Sequence, residues 1–315
     1  MIGRSSAFLA FHALLHKIAA YDAPVLIEGE TGTGKELAAR EIHYNSKRRN
    51  RPFVPVNCGA LPDTLVENEL FGHCRGAYTD AGAEQSGLVD LAQGGTLLLD
   101  EVDSLSRKAQ VTLLRFLQDK EYRPLGARAT RKADVRVIAA SNRELEGLVQ
   151  AGEFRLDLFY RLRILCVHAP PLRERHGDAR LLAEQFVLEA AASFDKPALP
   201  FDADALAWLD EYAWPGNVRE LENTVQRAFL LADGPSIALS ARTGSGNDSG
   251  EALDYHSAKS QAIHQFERRF LSDVMQRTGG NITAAARLIG TERRHLGRLL
   301  KRLGKSASQP PSAEK

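Results

Sequence analysis

The segment Gly29-Glu30-Thr31-Gly32-Thr33-Gly34-Lys35 constrains this chain more than any other stretch of it. It fits the phosphate-binding pattern GxxxxGK. It follows the apolar run Val25-Leu26-Ile27 and precedes a stretch that reads as a helix from about Lys35. Strand, glycine turn and helix in that order open a nucleotide-binding βαβ unit. The glycines let the backbone wrap closely, so that its N–H groups aim at a β-phosphate, and the helix N-terminus adds a favourable dipole. Lys35 would reach the β- and γ-phosphates. Glu36 stands where such loops carry Ser or Thr, so a hydroxyl ligand for magnesium is missing.

A second segment completes the pattern. Gly94-Gly95-Thr96-Leu97-Leu98-Leu99-Asp100-Glu101 reads as a buried strand ending in two carboxylates. Asp100 would hold Mg2+ through water, and Glu101 would orient and polarise the attacking water. Further strands are expected at residues 53–56 and 135–138, with helices at 7–20 and 109–118. Strands alternating with helices predict an α/β fold, a parallel sheet with helices on both faces. Beyond about His168 the strand pattern stops. Helices are expected at 178–194, 202–212 and 217–232, the last opening on a capping-box-like pair, Asn217 and Glu220. The expected layout is therefore an α/β nucleotide-binding unit at 1–168 and an all-helical unit at 169–233. A Gly- and Ser-rich flexible linker at 234–253, a helical module at 254–305 and a disordered tail at 306–315 follow.

The charge of the chain is informative only when divided. The 315 residues sum to +1, but residues 281–305 carry seven basic side chains and one acidic one, a net +6 against −5 for the rest. A small basic module on a mildly acidic body points to nucleic acid. Cys58, Cys74 and Cys166 lie far apart and form no CxxC pair, so neither a disulfide framework nor a zinc site is indicated, and reduced thiols in a cytoplasmic protein are the simple reading. No run reaches the roughly 18 apolar residues of a membrane span. The stretch from Phe8 to Ala20 is broken by His12, His16 and Lys17, so it is no signal peptide. His12 and His16 are spaced to share a metal, but no third ligand is in view and a helix surface accounts for them.

The basic module reads as helix–turn–helix. A long helix is expected at 257–277, with Ile263, Phe266, Phe270 and Val274 as its packing stripe, ended by Thr278-Gly279-Gly280. A short helix and tight turn fill 281–290, and a second helix runs 291–303 with Thr291 as its N-cap. Arg293, Arg294, His295 and Arg298 are expected in the major groove, arginine being the best reader of guanine. Lys301, Arg302 and Lys305 are placed on phosphates. The bland alternative is a solvated basic helix. Gly297, in mid-helix, costs about 1 kcal/mol against alanine.

With these motifs in order, residues 2–232 resemble the AAA+ domain of sigma-54-dependent activators, the bacterial enhancer-binding proteins. The residues that carry the likeness are 29–36, Glu69-Leu-Phe-Gly72, 76–81, 94–101, Phe154-Arg-Leu-Asp-Leu-Phe-Tyr-Arg-Leu162 and Trp214-Pro-Gly-Asn-Val-Arg-Glu-Leu-Glu-Asn223. Glu36, odd for a general phosphate loop, is what this family has. The C-terminal module resembles the Fis-type helix–turn–helix. The layout looks like members without an N-terminal regulatory domain. The resemblance implies an AAA+ sheet, a helical lid, ATP and Mg2+ as cofactors, and an ATPase coupled to transcription activation. It implies sigma-54 RNA polymerase and double-stranded upstream DNA as partners. It further implies a homo-oligomer that passes from dimer to hexamer ring. No ligand-sensing domain is visible in the sequence, which leaves control to a regulatory protein in trans or to expression level. By the same resemblance Asn57 relays nucleotide state to Glu101, although an asparagine closing a strand is the plain alternative. Asn142 matches sensor I, and Arg219 matches sensor II. Arg155 and Arg161 match arginine fingers that reach a neighbouring subunit, where residues alone would suggest solvent-exposed arginines on a helix. The family's sigma-54-gripping loop, Gly-Ala-Phe-Thr-Gly-Ala, is here Gly76-Ala77-Tyr78-Thr79-Asp80-Ala81. Tyr78 keeps the aromatic area. Asp80 tolerates left-handed backbone better than most residues, yet it sets a negative charge on the contact surface of every subunit. Two alternatives follow: a DNA-binding AAA+ regulator that has lost sigma-54 contact, and a repressor with a vestigial ATPase.

Overall fold

The computed structural model describes residues 1–60, 65–77, 83–239 and 278. Helix α1 (Ser6–Ala19) begins at Ser5, whose hydroxyl accepts from the Phe8 amide, and leads to strand β1 (Val25–Glu28) and helix α2 (Lys35–Tyr44). Strand β2 (Phe53–Asn57), helix α3 (Val66–Phe71), the short strands β3 (Gly72–His73) and β4 (Gln85–Ser86), and helix α4 (Leu88–Leu91) follow. Then come β5 (Thr96–Asp100), α5 (Arg107–Asp119), the strand pair β6 (Glu121–Tyr122) and β7 (Arg131–Lys132), and β8 (Arg136–Ser141). Helices α6 (Leu145–Gln150) and α7 (Leu156–Leu162) and strand β9 (Leu165–His168) close the unit.

The main sheet is parallel and five-stranded, in the order β2-β5-β8-β1-β9. Its register puts Glu28 beside Ser141 and Asn57 beside Asp100, so the carboxyl ends of the strands share one edge. Alternation of side chains along each strand feeds two cores. Leu26, Leu97, Leu99, Val137 and Ala139 meet α5, α6 and α7 through Leu113, Leu148 and Leu158. Val25, Ile27, Leu98, Ile138 and Ala140 meet α1 and α2 through Leu15, Ala38 and Ile42. Burial on both faces is why these strands read as continuous apolar runs.

Three helices form the lid: α8 (Asp178–Phe194), α9 (Ala203–Glu211) and α10 (Asn217–Leu230). They close over a core of their own around Trp214, Leu209, Leu221 and Phe229. Two details differ from the sequence reading. Ile237 and Leu239 are buried in this core, and Ile237 bridges to Phe201, so residues assigned to a linker from 234 onward belong to the lid packing. Asn217 is not a helix cap either. Gly216 takes the N-cap position, and only half the box forms, Glu220 Oε2 accepting from the Gly216 amide at 2.8 Å. Asn217 has φ +54° and is fully buried, and its amide is used elsewhere. The linker, the helix–turn–helix and the tail lie outside the described residues, Thr278 excepted.

Candidate functional site

The phosphate loop sits between β1 and α2 with Gly32 at φ +80° and Gly34 at φ +90°, backbone that favours glycine. Gly32 is demanded twice over, since a β-carbon there would stand 2.3 Å from the Gly216 carbonyl oxygen of the lid. Lys35 is buried, and its Nζ donates to the carbonyls of Gly29 (2.8 Å) and Glu30 (2.9 Å) and to Asn142 Oδ1 (2.7 Å). All three acceptors are neutral. Burial lowers the Lys35 pKa, opposed by the nearby carboxylates Asp100, Asp103 and Glu101.

Asp100 ends β5 half-buried, and burial raises its pKa, opposed by the Glu101 amide that donates to its Oδ1 (2.9 Å) and by Lys35. Glu101 holds φ +56°, an uncommon state for a residue with a side chain. Its carboxylate approaches Gly59, whose amide donates to Asn57 Oδ1 at 2.8 Å. Asn57 and Glu101 are thus near neighbours across the β2–β5 ends, although Asn57 is engaged in turning the chain at Gly59 and Ala60. Asn142 follows β8. Its amide donates to Asp103 Oδ1 (3.1 Å), which also accepts from Ser141 Oγ (3.2 Å). Asp103 therefore fixes the segment that aims Asn142 at Lys35. No motif marked it; the only signal was a carboxylate two residues beyond Glu101.

The lid supplies the opposite wall. Thr31, Gly32, Gly34, Lys35, Glu36, Asp100, Glu101 and Asn142 line one pocket together with Val218, Arg219 and Glu222 of α10. Arg219 pairs with no carboxylate among the described residues, whereas Glu36 pairs with Arg40 one turn along α2. Lid and loop are fastened at several points. Val218 donates to the Gly32 carbonyl (3.0 Å), and Asn217 Nδ2 donates to the Thr31 carbonyl and to Glu30 Oε2 (both 3.1 Å). Asn217 Oδ1 accepts from the Leu172 amide at 2.8 Å. Arg173 grips Glu30 with two bonds (2.6 and 2.8 Å), which holds the Glu30 carboxyl at about 2 with help from Asn217. Thr33 Oγ1 donates back to the Glu30 carbonyl, closing the turn. Arg173 and Asn217 are further residues that the sequence reading did not assign to the site.

Arg155 and Arg161 do not line this pocket. Arg155 is the N-cap residue of α7 rather than a helical residue, and its guanidinium pairs with Asp157 (2.7 Å). Its backbone amide donates to Gln110 Oε1, and that buried glutamine also donates to the carbonyls of Leu105 and Glu153. Gln110 thereby sets the turn that presents Arg155. A lone polar residue between Ala109 and Leu113 on the apolar face of α5 was its signal. Arg161 donates to the carbonyls of Leu117 and Gln118 at the end of α5. At the base of the aromatic loop, Gly76 has φ +79°, Cys74 donates to the Leu125 carbonyl, and Gly126 leaves just enough room for Ala77. Tyr78, Thr79, Asp80 and Ala81 lie outside the described residues, as do Arg293, Arg294, His295, Arg298, Lys301 and Arg302.

The chain also matches known proteins along its length. Residues 1–168 match the sigma-54 interaction domain, 173–242 the AAA+ ATPase lid domain, and 262–303 the Fis family of bacterial regulatory proteins. The hydrogenase transcriptional regulatory protein HoxA of Bradyrhizobium diazoefficiens is 46% identical over 292 residues, 90% of this chain and 60% of that protein. The regulatory protein AtoC of Escherichia coli is 42% identical over 288 residues, 89% of this chain and 62% of that protein. The chain thus spans less than two thirds of the length of these relatives. Among solved structures, NtrX from Brucella abortus in complex with ATP superposes with a TM-score of 0.71 at 34% identity, covering 96% of this chain and 69% of that one.

Proposed function

This chain belongs to the family of sigma-54-interacting AAA+ regulators, and we propose that it is an ATP-hydrolysing transcription activator. The observation that carries the reading is the convergence of Lys35 at the start of α2 and of Asp100, Glu101 and Asn142 at the ends of β5 and β8 with Arg219 from the lid. Among the described residues Lys35 bonds only to neutral oxygens and Arg219 has no carboxylate partner, so the pocket offers two cations to a polyphosphate. The left-handed glycines supply the backbone cradle. ATP would bring the transferable phosphoryl group, and magnesium would screen its charge. In this assignment residues 29–36 bind nucleotide, Asp100 holds the magnesium through water, and Glu101 orients the attacking water. Asn142 senses the γ-phosphate end, and Arg219 reads the nucleotide from the lid. Asn57, beside Glu101, relays the state of the site towards the loop at 76–81.

The remaining roles need a second copy. Arg155 and Arg161 stand away from their own pocket and fit fingers that complete a neighbour's, which calls for a ring. Residues 262–303 would hold upstream double-stranded DNA, and Tyr78 would bear on sigma-54 so that RNA polymerase opens the promoter. No helix among the described residues is long and apolar enough to cross a membrane, which suits a protein working on DNA in the cytoplasm. Control would come from a regulatory protein acting in trans or from the level of expression.

The test is a native gel of the purified chain with sigma-54 and ADP plus a metal-fluoride mimic of the transferring phosphate. A nucleotide-dependent complex is expected, strengthened or unchanged by Asp80→Gly. Protein that hydrolyses ATP yet forms no complex would favour a second reading, a DNA-binding AAA+ regulator without sigma-54 contact; the charge at Asp80 is the feature that favours it.

A further inference from the structure

Helices α1 and α2 bring together three side chains that the nucleotide pocket does not use. His12 and His16 stand one turn apart on α1, and Glu41 comes from α2. Both Nε2 atoms lie 3.4 Å from one carboxylate oxygen, Glu41 Oε1. The three ligand atoms all lie within 4.8 Å of one another. A separation of 3.4 Å is long for a hydrogen bond. It suits two ligands of one tetrahedral ion, because bonds of about 2.0–2.1 Å at the tetrahedral angle put donor atoms roughly 3.3–3.4 Å apart. The pair of histidines alone reads as helix surface; the packing of α1 on α2 provides the third ligand that the sequence hides.

We propose that His12, His16 and Glu41 form a binding site for a divalent transition-metal ion of the zinc class, with water as the fourth ligand. The side chains are 32%, 44% and 24% exposed, which leaves the solvent side open for that water. The carboxylate is oriented by a neighbour, since Asn45 Nδ2 donates to Glu41 Oε1 (3.2 Å) and to the Glu41 carbonyl (2.8 Å). Such outer partners accompany metal-binding carboxylates. Phe8 stacks on His12 with ring centroids 5.7 Å apart, and His16 meets His12 edge-on at 4.6 Å, which limits the rotation of both rings. Two imidazoles and one carboxylate suit zinc, cobalt, nickel or copper, whereas magnesium and calcium demand oxygen ligands. The ion would brace α1 against α2, the helix that Lys35 opens.

The experiment uses the untagged full chain without nucleotide. Zinc is titrated by calorimetry, and cobalt is added as a spectroscopic stand-in. One ion per chain is expected, with the strong visible absorption of four-coordinate cobalt. At a hundredfold excess over its dissociation constant, zinc should raise the unfolding midpoint by roughly 5–10 °C. His12→Asn with His16→Asn should abolish all three signals. Cys166→Ser with His168→Gln, which removes the second donor cluster among the described residues, around Glu28, should leave them intact. ATP affinity, measured on the same samples, reports the fold. Glu41→Gln keeps the size of the side chain, and zinc binding should weaken by at least roughly tenfold at unchanged ATP affinity. Unchanged zinc affinity in either the double-histidine or the Glu41 variant overturns the site, as does a wild-type chain that binds no zinc or shows only six-coordinate cobalt.

Discussion

The two walls of the nucleotide pocket are built in different ways. On the sheet wall, Asp100 and Asn142 stand at the ends of strands buried along nearly their whole length, Lys35 opens α2 behind the glycine loop that follows such a strand, and each is tied to its neighbours by hydrogen bonds. On the lid wall, Arg219 and Glu222 are exposed on α10, and the helix is fastened to the phosphate loop at its N-terminus by Asn217 and the Val218 amide, with the Glu30–Arg173 pair holding the loop to the segment ahead of α8. A wall held by a sheet core keeps reacting groups to a fixed geometry. A wall held at a few polar points next to the loop can follow what the loop binds. The contrast fits chemistry on the first and sensing on the second.

The largest effects should come from the sheet wall and from Arg155, the arginine proposed to complete a neighbour's site. Arg155→Ala should lower ATP turnover by roughly 10³-fold or more, and Glu101→Gln by roughly 10²–10⁴-fold. Mixing the two inactive proteins should restore a measurable part of the rate, because the proposed ring would then contain junctions with one intact copy of each residue. A mixture as inactive as its parts would place Arg155 in its own subunit's chemistry or in none.

Asn217→Ala probes the fastening of the lid. It strips a buried side chain of three hydrogen bonds and leaves the Leu172 amide unpaired. A loss of about 2–3 kcal/mol is expected, read as a lowered thermal midpoint and faster hydrogen exchange in the phosphate loop. An unchanged loop would mean that the lid is held elsewhere. Asp103→Ala should act on the other wall without touching nucleotide, lowering turnover roughly 10–100-fold as Asn142 drifts from Lys35. Nucleotide affinity should change little, and a purely structural aspartate would instead move the midpoint and leave the rate alone.

The smallest effect belongs to Arg173→Ala, because its pair with Glu30 is exposed and solvent screens such pairs. Its pH dependence is the sharper readout. The Glu30 carboxyl is held down at about 2, mainly by Arg173, from an ordinary value of 4.5. The pair's contribution is then complete above pH 4.5 and lost as pH falls through 2. Midpoints of wild type and variant should differ by a constant amount from pH 7 to pH 5 and converge only in stronger acid.

What could be read from the residues was whatever acts over a few positions. The glycine loop before Lys35 and the apolar run ending in Asp100 and Glu101 announce themselves because strand, turn and charge are adjacent in the chain. The same holds for the helices α5 and α8, whose apolar spacing is local. Asn142 is different. Only its place after a strand, matched to a family pattern, marked it, and its bond to Lys35 spans 107 residues.

Tertiary packing decided the rest. Asn217 looked like a cap because Glu220 follows it at the right spacing, but a left-handed backbone turned its amide towards Glu30, Thr31 and Leu172. Asp103, Gln110 and Arg173 carry no motif, since each acts on a residue that is tens of positions or more away. Glu41 faces two histidines only because α1 lies against α2. Local sequence sets periodicity, turn chemistry and charge, which depend on neighbours along the chain. Which side chains meet across elements depends on how apolar faces such as those of Leu15 and Ile42 pack together, and that is a property of the folded core.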